Sequence, residues 1–296
     1  MAVETSLEWV NRLHRRGETG LPAWAKETMD RTLYFTYEKC YPEVTGYFIP
    51  TLIKYGRKGL AERLALWLLS QQNEDGSFNN MEGQPETFDT GMVCLGLHHI
   101  NLYLSSENAF WTAYNKCVDY LRNEMIVNNQ IMISPRRSDT QIYLIKVCAV
   151  IGEHRPVTVL LPKEHMGIWK KERLHYVAYG LEGLDHLGYR GQVDTVLTLL
   201  EESLPSSLQD GIVPWNFTGN EWNSPTGSDT CATAQLAALL MKYNKDRALI
   251  EEMVEGVRNM KHEKGGIYHA IGDKRLTTWT LKYYLDMEME YKRWAK

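Results

Sequence analysis

Polar segments that carry proton-transfer groups recur along the chain, each at the start of an apolar stretch. Asp89, Asp139 and Asp229 lie in three of these segments, and His175 lies in a fourth. Carboxylates and histidine can act as general acids or bases, and carboxylates also bind sugar hydroxyls. The pattern therefore predicts acid–base chemistry. The candidate catalytic residues are Asp139, His175, Asp89, Asp229, Tyr176 and Glu43.

Helix capping is an alternative role for the three aspartates and for His175. Asp, Ser and Thr at a helix start accept hydrogen bonds from free backbone N–H groups, and each cap contributes about 1 kcal/mol. Beside basic residues, however, His175 and Tyr176 could abstract the C5 proton of a uronate, as lyases and epimerases require. The residues alone leave capping and catalysis open.

Basic residues cluster in the loops before three of the polar segments. The helix dipole favours acids at such positions, so helix propensity does not explain the basic residues. An anionic ligand would explain them, since a guanidinium binds two oxygens of a carboxylate or phosphate at once. Solvated loop charges are the alternative. The candidate anion-binding residues are Arg136, Arg137, Lys170, Lys171, Arg173 and Arg275.

Aromatic residues crowd the same loops and helix starts. If exposed, they form a platform on which sugar rings stack; if buried, they pack between helices. Trp67 and Trp111 lie at helical spacing and are predicted to be core. The candidate substrate-binding rings are Tyr47, Trp169, Trp215, Trp222 and Trp279.

These residues need helices to position them, and the hydrophobic pattern supplies two kinds. Helices that are apolar on all sides alternate with helices that have one polar face, as inner and outer layers do. About six such pairs predict an all-α fold, an α/α toroid or (α/α)6 barrel, in one domain over residues 1–296. All inner helices of a toroid start on one side, so the polar segments share one mouth. The predicted inner helices are 44–56, 89–102, 139–151, 175–187, 229–242 and 277–290.

Local signals refine this prediction. Glycine turns at Gly76, Gly211 and Gly265 follow outer helices. Residues 154–166 are predicted to form a short, degenerate outer helix. Strand signals at 131–133 and 266–269 are too short for a sheet, although either could form a small hairpin.

Composition excludes several classes of protein. The 296 residues are 44% hydrophobic and carry a formal net charge of −4, which argues against nucleic-acid binding. Five cysteines without CxxC spacing favour a reducing cytoplasm and argue against zinc. Residues 1–20 lack the apolar core of a signal peptide, and no apolar stretch is long enough to span a membrane. We therefore expect a cytoplasmic protein without metal or cofactor; its oligomeric state is left open.

Two sequence motifs resemble known toroid families. Residues 68–72 followed by 75–78 are similar to the glutamine-and-tryptophan repeat of the squalene cyclase and protein prenyltransferase toroids, with Phe78 in place of tryptophan. Residues 41–50, 88–91 and 175–184 resemble a group of bacterial α/α-toroid proteins encoded beside polysaccharide-synthesis genes. The resemblance implies a toroid fold but not one activity, because such toroids include glycoside hydrolases, uronate lyases, epimerases and terpene cyclases.

The preferred function is carbohydrate-active: a lyase, epimerase or hydrolase acting on an acidic or phosphorylated saccharide in the mouth. A non-enzymatic glycan-binding or scaffold module is the alternative. An isoprenoid cyclase or transferase is the second alternative, but the Asp-x-Asp-Asp cluster of class II terpene cyclases is absent. The zinc site of prenyltransferases is only loosely matched by Asp229 and Cys231, and Thr277 stands in place of histidine.

Overall fold

Helices dominate the computed structural model, which describes residues 2–16, 20–27, 35–104, 108–127, 130–131, 142–153, 173–215 and 227–296. Five short strands accompany the helices of these ranges: β1 (Trp24–Glu27), β2 (Phe35–Tyr37), β3 (Ile126–Val127), β4 (Gln130–Ile131) and β5 (Arg275–Thr277). The helices are α1 (Ala2–Arg16), α2 (Pro42–Lys54), α3 (Lys58–Gln71), α4 (Thr87–Leu104), α5 (Asn108–Met125), α6 (Leu144–Val150), α7 (Leu174–His186), α8 (Arg190–Ser203), α9 (Thr230–Lys242), α10 (Arg247–Asn259) and α11 (Thr278–Trp294).

Six of these helices form a closed inner ring. In order around the ring they are α2, α4, α6, α7, α9 and α11, and α11 returns to pack against α2. The inner helices are buried on nearly all sides, as their continuous apolar sequences require. The predicted α/α toroid is confirmed, and five inner helices start within two residues of the predicted position. The predicted start of the third, at 139, lies outside the described residues.

The outer layer consists of amphipathic helices. The helices α3, α5, α8 and α10 each follow an inner helix and pack against it, while α1 packs against α11. None of the helices in the described ranges is long and apolar enough to cross a membrane. The predicted outer helix at 154–166 lies outside those ranges.

Trp111 corrects one expectation about the core. Its side chain is 49% exposed on α5, where it stacks on Tyr114. The buried side of this helix is formed by Phe110, Cys117 and Leu121. Trp111 follows Phe110 by one residue, about 100° around the helix, and therefore points away from the core.

A small sheet, which the sequence analysis did not predict, joins the two ends of the chain. Strand β1 pairs antiparallel with both β2 and β5, so that Ala25 faces Tyr37 on one side and Leu276 on the other. Strands of three or four residues depend on distant partners, and short-range periodicity cannot detect them. A separate hairpin pairs Ile126 with Ile131, adjoining the predicted one at 131–133.

The predicted glycine turns lie in direct contact with neighbouring outer helices. Gly76, Gly211 and Gly265 all have positive φ. A Cβ at Gly76 would lie 2.3 Å from the carbonyl oxygen of Lys116 on α5, and one at Gly265 would lie 2.2 Å from that of Thr5 on α1. Each turn thus rests directly on a neighbouring outer helix, and only glycine fits there.

Gly265→Ala tests whether this contact stabilises the ring. Gly272 is the matched control, because it also has positive φ but no described atom lies within 4 Å of the added Cβ. Gly272→Ala should cost about 1 to 2 kcal/mol of unfolding free energy through backbone strain alone. Gly265→Ala should cost about 1 to 3 kcal/mol more through the steric clash. Denaturant unfolding measures both, and equal losses would show that the contact with α1 contributes nothing.

Candidate functional site

A cavity of about 430 Å³ opens where the inner helices begin. Its wall combines carboxyl groups, basic side chains and aromatic rings from all six inner helices or the segments leading into them. The structure brings together nine of the residues that the sequence analysis singled out. They are Glu43, Asp89, Arg173, His175, Tyr176, Trp215, Asp229, Arg275 and Trp279.

Of the other candidate residues, only Tyr47 is described, and it lies outside this cavity. The predicted substrate-stacking ring Tyr47 is instead fully buried in α2, with its ring 6.1 Å from that of Tyr283. A buried ring cannot stack on a bound sugar. Residues outside the described part of the chain, whose roles stay predictions, are Asp139, Arg136, Arg137, Lys170, Lys171, Trp169 and Trp222.

Asp229 both caps a helix and lines the cavity. Its Oδ1 accepts a hydrogen bond from the backbone N–H of Ala232 at 2.9 Å, at the start of α9. Only 2% of Asp229 is exposed. The capping alternative is therefore correct for this residue, but a cap that faces a cavity can also contact a ligand.

Asp89 lies in the first turn of α4 and contacts a tyrosine. The hydroxyl of Tyr41 donates a hydrogen bond to its Oδ2 at 2.6 Å. Burial, together with the negative charges of Glu43 and Asp89, raises the pKa of Tyr41 well above its ordinary value. Tyr41 is therefore a neutral hydrogen-bond donor that orients Asp89.

Glu43, in the first turn of α2, is the carboxyl group best suited to donate a proton. Burial raises its pKa to about 7, although the Tyr41 hydroxyl and the Lys146 ammonium favour the charged form. Glu86, which also lines the cavity, adds to the rise. Near neutral pH, Glu43 is therefore present in both protonation states, as a general acid requires.

His175 is the second residue of α7, and its ring lines the cavity. Its Nδ1 lies 2.6 Å from Oε1 of Gln235 and 3.4 Å from Sγ of Cys231. Burial lowers the pKa of His175, while the nearby Asp229 and the Gln235 contact oppose that effect. The ring is therefore neutral at pH 7 and can accept a proton.

The two described arginines of the mouth differ in their surroundings. Arg275 is paired with Asp273, at 2.6 Å between Nη2 and Oδ2. Arg173 is exposed and has its guanidinium 4.4 Å from the ring centroid of Trp215 and 5.6 Å from that of Tyr176. It forms no ion pair with the residues that the structure describes. Arg173 is thus the arginine better placed to bind an anionic group.

His269 belongs to the site, although its position beside a glycine turn in the sequence indicates only a structural role. It is 7% exposed and stands edge-on to Trp215, at 5.4 Å, and to Trp279, at 5.9 Å. Its buried Nδ1 has no hydrogen-bond partner in the described chain. No local motif marks this residue, since only the fold brings its turn beside α9 and α11. The remaining cavity residues that sequence reasoning did not assign to the site are Met81, Glu86, Phe88, Tyr143, Tyr179 and Cys231.

Metal-ligating side chains do not converge within the described ranges. No group of three or more His, Cys, Asp or Glu residues there is arranged to hold a metal ion.

Comparison with known proteins reveals similarity of fold only. No protein-family model matches the chain, and no curated protein matches it in sequence. Among solved structures, it is similar to an alpha-amylase from Clostridium perfringens, with 9% identity, 98% of both chains covered and a TM-score of 0.69.

Unsaturated glucuronyl hydrolases are also similar in structure. The enzyme from Streptococcus agalactiae is 14% identical, with 98% of this chain and 90% of that chain covered and a TM-score of 0.65. A heparin-specific one is 14% identical over 99% of this chain and 97% of that chain, with a TM-score of 0.63. At these identities the shared toroid is shown, and the activity is not.

The raised pKa of Glu43 predicts a pH-dependent effect of Glu43→Gln on stability. A carboxyl whose pKa is higher in the folded state than in the unfolded state stabilises the fold fully below its unfolded value of 4.5. That contribution is lost as the pH rises through about 7. The melting temperature of Glu43→Gln relative to the unsubstituted protein should therefore be higher at pH 8.5 than at pH 5.

Glu8→Gln on the exposed face of α1 is the control. Its relative melting temperature should change little over the same range, because an exposed carboxylate loses little hydration on folding. A pH-independent difference for Glu43→Gln would contradict the raised pKa.

Proposed function

We propose that this protein is an enzyme of the glycoside-hydrolase type that acts on an acidic saccharide bound in the mouth cavity. The proposal rests on one observation, the set of side chains that line this cavity. It combines a carboxyl with a pKa of about 7, further carboxyl groups, a neutral histidine and an arginine stacked on aromatic rings. Hydrolysis of a glycosidic bond needs an acid, a proton acceptor and negative charge near the anomeric carbon.

The proposed roles follow from the surroundings of each group. Protonated Glu43 donates a proton to the leaving-group oxygen, and neutral His175 accepts a proton from the attacking water. The carboxylates of Asp89 and Asp229 stabilise the positive charge that develops on the sugar ring. Asp139, from the sequence analysis, is a further candidate for acid–base work.

Substrate binding is assigned to the basic and aromatic part of the wall. The guanidinium of Arg173 binds the sugar carboxylate through two oxygens, and a sugar ring lies against Trp215 or Trp279. One structural neighbour is a variant of the unsaturated glucuronyl hydrolase complexed with dGlcA-GalNAc6S. That acidic disaccharide is the first substrate to test, and a phosphorylated sugar is the second, because Arg173 suits either anion.

A uronate lyase is the second candidate, and the neighbourhood of His175 favours it. Tyr176 directly follows His175, Arg173 precedes it by two residues, and all three line the cavity. In a lyase the histidine would remove the C5 proton while Arg173 neutralises the carboxylate.

An isoprenoid enzyme suits this wall poorly, because charged groups surround the space where an apolar chain would lie.

The two enzymatic candidates change ultraviolet absorbance in opposite directions. A hydrolase acting on an unsaturated glucuronyl disaccharide adds one water at the glycosidic bond, and the released sugar loses its absorbing double bond when its ring opens and the enol becomes a ketone. A lyase acting on a saturated uronate polymer instead creates such a double bond. We therefore expect absorbance to fall with dGlcA-GalNAc6S and the product mass to match water addition. Binding without turnover on any acidic saccharide would favour the glycan-binding module instead.

Asp229→Asn separates the charge of this residue from its cap. Asn caps a helix about as well as Asp, so the melting temperature should hold, while turnover should fall by about 10² to 10⁴-fold if the carboxylate takes part. Asp246→Asn is the matched control: Asp246 caps α10 by accepting from the backbone N–H of Leu249 at 2.7 Å, away from the cavity. It should preserve both stability and turnover. Full activity in Asp229→Asn would return Asp229 to a purely structural role.

A further inference from the structure

A chain of hydrogen bonds runs from the cavity wall into the buried centre of the toroid. It begins at Nδ1 of His175, which lies 2.6 Å from Oε1 of Gln235. The amide Nε2 of Gln235 donates to Oε1 of Glu182 at 3.4 Å, and the other oxygen of Glu182 accepts from the ammonium of Lys146. Lys146 also donates to the hydroxyl of Tyr283 at 3.0 Å. Gln235 is 1% exposed, so water does not compete for its amide.

The chemistry of Glu182 fixes the orientation of this amide. A carboxylate accepts hydrogen bonds and cannot donate them, so the NH₂ group of Gln235 must face Glu182. The amide oxygen then faces His175. Because an amide oxygen only accepts, the hydrogen of this bond must be on Nδ1 of His175. The ammonium of Lys146 holds Glu182 in place, so the orientation is set two residues away from the histidine.

The proton on Nδ1 decides what the other ring nitrogen can do. Burial lowers the pKa of His175, so the ring carries a single proton near neutral pH. When that proton is on Nδ1, Nε2 has a free lone pair. The thiol of Cys231 does not change this, because burial raises its pKa well above the ordinary value and a neutral thiol is only a weak partner. The titratable groups around His175 are Tyr176, Tyr179, Glu182, Asp229, Cys231, His269 and Tyr283.

We infer that Gln235 is a positioning residue that holds His175 in the tautomer protonated on Nδ1, leaving Nε2 as the proton acceptor of the mouth cavity. The inference deepens the proposed function and rests on it only for the use of Nε2 in turnover. The tautomer itself is a property of the unliganded protein. It can therefore be tested without any substrate.

Nitrogen NMR of protein labelled with ¹⁵N-histidine tests the tautomer directly. At pH 7.5, with the His175 signals assigned by their loss in His175→Asn, Nδ1 should show the shift of a protonated nitrogen and Nε2 that of an unprotonated one. Gln235→Met keeps the length of the side chain but removes the acceptor, so part of the His175 population should shift to the other tautomer. Gln235→Glu keeps an oxygen opposite Nδ1 and, because two carboxyls in contact share one proton, can still donate to Glu182, so it should preserve the tautomer.

Turnover of the acidic disaccharide gives the second readout. In Gln235→Met, kcat should fall at least about 10-fold with little change in KM, because fewer molecules present the correct base. Gln235→Glu should restore most of kcat relative to Gln235→Met. Protonation of Nε2 in the unsubstituted protein, or an unchanged tautomer in Gln235→Met, would overturn the positioning role. An absence of turnover on every saccharide, with the NMR result as expected, would overturn the proposed function alone.

Discussion

Closure of the inner ring determines where every candidate side chain lies. The last helix, α11, packs between α9 and α2, and polar bonds fasten this junction: Thr51 donates to Asp286 at 2.9 Å, and the Tyr55 hydroxyl donates to the carbonyl of Leu285 at 2.7 Å. All six inner helices begin at one face, where their first turns or the residues just before them line the cavity. The described polar segments, scattered over more than 200 residues of sequence, therefore meet at one mouth.

The same enclosure tunes the chemistry of the mouth. Burial favours the neutral form of any titratable group, so it raises the pKa of Glu43 and lowers that of His175. These opposite shifts give one group that can donate a proton and one that can accept it at the same pH. Deeper in the ring, Lys146 is paired with Glu182, and this partly buried pair fixes the orientation of the Gln235 amide. The core thus contributes to the site through orientation as well as packing.

The sequence predicted the helices well because burial on all sides leaves a strong local pattern. It also placed Asp229 and Arg173 at helix starts, where the structure finds them lining the cavity. It missed the contribution of His269 and Gln235, for different reasons. Gln235 lies mid-helix in an apolar run, where its polar partners come from other helices. His269 lies in a turn whose neighbours are determined only by the closed ring. The pairing of β1 with β5 could not be predicted for the same reason, because the two strands are distant in sequence and meet only in the folded ring.

The central claim is that the mouth of the closed ring binds and cleaves an acidic saccharide. A crystal structure of the Glu43→Gln variant soaked with an acidic disaccharide tests it most directly. The account predicts a sugar ring against Trp215 or Trp279, its carboxylate at the Arg173 guanidinium, and the glycosidic oxygen within hydrogen-bonding distance of position 43. A saccharide bound elsewhere on the toroid, with the mouth cavity empty, would contradict the account.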